Sequence, residues 1–85
     1  MASSPADEDY ARALLSIFKA RQVRVRQSLP MREAKAVFLG RNMGRDFDFE
    51  AALRHATIRG WLAPALDMIR LTAPGADEMY TVAFP

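Results

Sequence analysis

This sequence predicts a small α+β domain: three helices, a short strand after the first, and a short antiparallel hairpin after the third. Three observations carry that expectation. Apolar residues recur at helical spacing within residues 10–18, 31–38 and 49–56. Residues 22–27 alternate with period two, and two short apolar stretches, 61–63 and 68–72, flank a turn over 64–67. The chain has 85 residues, and a domain near that size buries only about 60% of its unfolded surface. One core is therefore expected, spanning about residues 8–74, with 76–85 a tail to which no structure is assigned.

The first helix has a clear start. Ser4 can cap, Pro5 suits the first helical position, and Asp7, Glu8 and Asp9 favour the positive end of the dipole. Tyr10, Ala11, Leu14, Leu15, Ile17 and Phe18 then form a broad apolar stripe, which makes this a core helix ending near 20–22. In Gln22-Val23-Arg24-Val25-Arg26-Gln27 the Val and Arg side chains would project to opposite faces of a short strand. Pro30 opens the second helix, with Ser28 or Leu29 as cap and Met31, Ala34, Val37 and Phe38 facing inward. Gly40 or Gly44 ends it. Asp46 or Asp48 caps the third helix, whose inner side carries Phe49, Ala52, Leu53, Ala56 and Gly60. Gly60 terminates that helix. Pro64 cannot donate a ladder hydrogen bond, so it belongs at the hairpin's turn or on a sheet edge. Ala73-Pro74-Gly75 breaks the chain again, and Met79-Tyr80-Thr81-Val82 has some strand character.

The segment Phe49-x3-Leu53-x2-Ala56-x3-Gly60-Trp61-Leu62, followed by a hairpin and Ile69-Arg70-Leu71-Thr72, resembles the third helix and wing of a winged helix-turn-helix domain. In that superfamily the apolar pair after the glycine plugs the core, and the Leu-Thr pair closes the last wing strand. The resemblance implies a third helix that enters the major groove of double-stranded DNA and a wing that touches the backbone or the minor groove. The implied class is a small transcriptional regulator or accessory factor, acting as a dimer because one module covers little DNA.

Charge supports part of this. Residues 19–45 hold eight basic side chains against one acid, Glu33, whereas the rest of the chain is net acidic. Such a block is either a phosphate footprint or a solvated face paired with acids elsewhere in the fold. In the DNA reading, Arg54 and His55 approach bases while Arg32, Lys35, Arg41 and Arg45 hold phosphates. Two features point elsewhere: the third helix begins with Asp46, Asp48 and Glu50, which repel phosphate, and the hairpin tip Pro64-Ala65-Leu66-Asp67 has no cation. The alternative is a protein-interaction or dimerisation module presenting Phe47, Ala51, Ile58 and Leu66 to a partner or a second copy.

Other chemistry finds little footing. Asp46-Phe47-Asp48-Phe49-Glu50 has the start of a calcium-loop spacing, but Ala51 stands where glycine is needed and Thr57 where glutamate is needed. His55 is the sole histidine and there is no cysteine, so a metal cluster, a thiolate site and a disulfide framework are not expected. Gly40-x3-Gly44 lacks the Lys-Ser/Thr of a phosphate loop. No serine lies in a nucleophile motif, so neither an enzyme nor a cofactor is expected. The acidic N-terminus does not read as a signal peptide, and no apolar run approaches the roughly 20 residues that span a bilayer. The expected location is cytoplasmic.

Overall fold

The computed structural model describes residues 5–81. The elements run α1 (Pro5–Ala20), β1 (Ser28–Pro30), α2 (Met31–Gly40), α3 (Asp46–Ile58), β2 (Leu62–Ala65), β3 (Met68–Leu71) and α4 (Ala73–Thr81). The strands form one antiparallel sheet in the order β1-β3-β2. Leu29 stands opposite Ile69, and Leu62 opposite Leu71. Along β3 the burial alternates: Ile69 and Leu71 face the core, while Met68 and Arg70 face outward.

The core lies between that inner sheet face and the helices. Ala11, Leu14, Ile17 and Phe18 from α1 meet Ala34 and Phe38 from α2 and Phe49, Ala52 and Ala56 from α3, all buried. The rings of Phe38 and Phe49 meet edge-on with centroids 5.5 Å apart, a favoured aromatic geometry. The helical stripes expected from spacing thus supply the core. Trp61 and Leu62 are buried directly after Gly60, as expected. Pro64 sits on β2, an edge strand, where its missing donor costs no ladder bond.

Three helices end in one way. Gln22, Asn42 and Gly60 have φ of 57°, 55° and 77°, and each donates its N–H three residues back, to Lys19, Leu39 and Thr57. The next residues, Val23, Met43 and Trp61, donate five back, to Phe18, Phe38 and Ala56. This is the Schellman motif, with an apolar residue following the left-handed one. Gly60 therefore ends α3 as expected. The end of α2 differs from the expectation: Asn42 takes the left-handed position, not Gly40 or Gly44, because asparagine tolerates that conformation.

The strand expected over residues 22–27 is instead a turn, and the pairing strand is Ser28–Pro30. Positive φ at Gln22 and Arg26 (74°) interrupts extended backbone at both ends of the alternating stretch. Pro30 then precedes the helix as its N-cap, so that α2 starts at Met31. Arg45, not an aspartate, occupies the N-cap of α3, and the Asp48 carboxylate reaches back to accept the Arg45 N–H at 2.9 Å. The expected cap Ser4 and the strand residue Val82 lie outside the described residues.

The largest departure is α4, a fourth helix where the sequence suggested a break and a strand. Thr72 caps it: the Gly75 N–H donates to Thr72 Oγ1 at 3.0 Å, and the Ala76 N–H to the Thr72 carbonyl at 2.9 Å. Pro74 falls in the first turn, where its lack of an N–H costs nothing. Met79 and Ala76 are buried, Tyr80 Oη donates to the Val23 carbonyl at 3.1 Å, and Arg12 of α1 pairs with Glu78. Gly75 fits because a Cβ there would lie 2.0 Å from the Trp61 carbonyl oxygen.

Candidate functional site

The exposed side of α3 is built by helical spacing. At 100° per residue, Phe47, Ala51, Arg54 and Ile58 fall within about 60° of one another, opposite the buried Phe49, Ala52 and Ala56. Phe47 is 66% exposed and Ile58 70%, each among the most exposed large apolar residues described. Arg54 lies between them, exposed, and Ala51 is partly exposed. The hairpin adds a further apolar point. Leu66 is 97% exposed and has φ of 57° at the first of two loop residues between β2 and β3.

His55 does not belong to this surface. It is only 7% exposed and points toward α1, with Nε2 3.9 Å from Glu8 Oε1 and its ring 6.0 Å from that of Trp61. It cannot approach a base. Spacing alone centred the inner side on Phe49; packing of α1 along one flank rotates the buried arc toward His55 and leaves Leu53 only partly covered. Around His55 sits a charged cluster not evident from sequence. Glu8 accepts from Arg12 at 3.2 Å and from Arg59 at 3.2 Å, and both guanidiniums lie over the Trp61 ring, at 5.2 and 4.8 Å from its centroid. The hydrogen bond from Arg12 holds the Glu8 carboxyl below its ordinary range, with the charges of Arg12 and Arg59 adding to it against partial desolvation. Glu8 and Arg59 are 51 residues apart in sequence, so no local signal could have joined the two sides of this cluster.

The expected phosphate-holding residues divide. Lys35 pairs with Asp46 at 3.4 Å, which sets the start of α3 beside the middle of α2 and uses both charges. Arg32, Arg41, Arg45 and Arg54 are exposed, and none has a side-chain ion pair among the described residues. Arg32 borders a groove with Pro30, Met31, Asp67 and Met68, where the turn of the hairpin meets the start of α2. The acids nearby are mostly engaged: Glu33 pairs with Arg21, Asp46 with Lys35, and Asp48 with the Arg45 N–H. Glu50 remains exposed on α3 without an ion pair among the described residues. On the outer sheet face Arg70 stands between Ser28 and Ala63, a cation that the sequence placed in the hairpin without orientation.

Among the described residues no group of three or more His, Cys, Asp or Glu is placed to hold a metal ion. No described helix is long and apolar enough to cross a membrane. Comparison with protein-family models, with characterised proteins and with solved structures yields no match to this chain.

Proposed function

We propose that this chain is a winged-helix protein-interaction module that docks a protein surface through the exposed side of α3. The observation that carries the reading is the exposure of Phe47 (66%) and Ile58 (70%) on one face of a helix whose opposite face is buried. Covering such a side chain is worth about 1.5–3 kcal/mol, a gain that folding leaves unused and docking recovers. The order of helix, strand, helix, helix and hairpin supports the winged-helix part of the reading, with α4 as an addition. The hairpin tip, led by Leu66 and lacking a cation, is suited to the same kind of partner.

The test compares the wild type with Phe47→Asp and Ile58→Asp, by sedimentation and by affinity capture from extract of the source cell. Both positions are largely exposed, so circular dichroism should be unchanged. Associations of the wild type, with itself or with another chain, should be lost in both variants. If both retain every association, or the wild type has none, the reading is wrong.

A second reading, double-stranded DNA, is favoured by the four arginines Arg32, Arg41, Arg45 and Arg54, which lack acidic partners among the described residues. Here phosphate contact dominates, because of the two expected base readers only Arg54 is exposed. Fluorescence anisotropy with a random duplex decides it. Binding that weakens steeply with salt, and falls on Arg32→Ala and Arg54→Ala, supports DNA; no binding at low salt dismisses it.

A further inference from the structure

We infer that the partner of the α3 face is a second copy of the same chain, with the two α3 helices packed antiparallel across a twofold axis. This rests on the reading of α3 as a docking face and names its occupant. Phe47, Arg54 and Ile58, exposed, and Ala51, partly exposed, have spacings of four, three and four along the helix. The pattern is the same from either end. An isologous contact needs a face complementary to itself, residue i meeting j and j meeting i, and this spacing permits that. With the axis between Ala51 and Arg54, Phe47 of one copy covers Ile58 of the other at both ends of the contact, and Arg54 crosses Ala51 of the other at its centre.

The chemistry at each place suits the contact. The large apolar pairs lie at the two ends, where each gains cover from the other. Ala51 is small enough for close approach of two helices, which pack at about 8–10 Å. The apolar stem of Arg54 covers it while the guanidinium reaches outward. What it reaches is Glu50 of the second copy, one residue before Ala51. Glu50 and Arg54 are both exposed and neither has a side-chain ion pair among the described residues. The twofold therefore forms two Glu50–Arg54 pairs between copies, and it gives the unengaged carboxylate of this face a partner. A parallel arrangement would set like beside like, with Glu50 against Glu50 and Arg54 against Arg54.

Charge exchange tests this directly. Sedimentation of the wild type over the micromolar range should show a dimer, and Ile58→Asp should be a monomer. Glu50→Arg and Arg54→Glu should each weaken self-association by about tenfold or more, because each places two like-charged pairs across the axis. An equimolar mixture of those two variants should recover a heterodimer near wild-type strength. In it the arginine introduced into one chain meets the glutamate introduced into the other, and the retained Arg54 of the first meets the retained Glu50 of the second. The double variant Glu50→Arg/Arg54→Glu should recover a homodimer. Circular dichroism on every variant confirms that the fold is retained. A wild type that stays monomeric, a dimer indifferent to the single exchanges, or exchanges that mixing does not rescue each overturns the inference. A monomer that still captures a different protein through Phe47 and Ile58 overturns this inference alone and leaves α3 as a docking face. Binding of duplex DNA by a monomer, lost on Arg54→Glu, overturns both.

Discussion

Replacing Gly75 by Ala sets two effects of opposite sign against each other. Gly75 is in the first turn of α4 without a positive φ, so helix propensity alone makes Ala more stable by about 0.5–1 kcal/mol. Packing opposes this. The new Cβ would lie 2.0 Å from the Trp61 carbonyl oxygen and 2.8 Å from its carbon, backbone atoms already tied to Thr72. Relief requires a shift of about 1 Å, and crowding of that kind costs about 1–3 kcal/mol. If α4 lifts instead, Met79, now 6% exposed, loses burial worth about 1.5–3 kcal/mol. Subtracting the propensity gain leaves a net loss of up to about 2.5 kcal/mol, near 1 kcal/mol at the middle of both ranges. Urea unfolding followed by fluorescence of the single tryptophan, Trp61, measures the difference and reports on the contact itself. A Gly75→Ala protein as stable as the wild type, or more stable, would refute the account of why a glycine stands in the first turn of this helix.

Three further outcomes follow from individual residues. Asn42→Gly should stabilise the protein and Asn42→Ala destabilise it, each by about 1 kcal/mol, since Asn42 holds φ of 55°; equal melting of the two would contradict the left-handed cap. Leu66→Gly should raise stability by up to about 1 kcal/mol, because Leu66 pairs a φ of 57° with 97% exposure; a lower melting temperature would show that the leucine contributes to the folded state. Glu8→Gln should be less stable than the wild type near neutral pH. The folded carboxyl of Glu8 is held below its ordinary range, so its contribution is present above that range and lost as pH falls through the lowered value. The gap between the two proteins should close in acid, and a gap that persists there would mean that the charge is not its source.

Local structure was legible where the cause is local. The stripe of Tyr10, Leu14, Ile17 and Phe18, the stop at Gly60 and the burial of Trp61 and Leu62 all follow from spacing and from one left-handed residue. The exposure of Phe47, Arg54 and Ile58 was readable in the same way, by turning the helix at a fixed angle, whereas His55, set on the same face by that count, is buried. Misreadings arose where two local signals conflicted. Val-Arg alternation looked like a strand, yet left-handed backbone at Gln22 and Arg26 made it a turn. Ala73-Pro74-Gly75 looked like a break, yet all three fit a first helical turn once Thr72 caps it. Proline and glycine punctuate a chain in either direction, and neighbours decide which.

From residue types and their order alone came the α+β class, three of the helices, the hairpin, and a third helix that begins with the carboxylates Asp46, Asp48 and Glu50. Tertiary packing decided the rest: that α4 docks on α1 and the 22–27 turn, that His55 is buried beside Glu8 and Trp61, and that Lys35 is engaged while Arg32, Arg41, Arg45 and Arg54 are not. The division has one physical reason. Periodicity, caps and chain reversals depend on residues a few positions apart, whereas burial of a polar side chain and pairing of a charge depend on elements brought together only when the core closes.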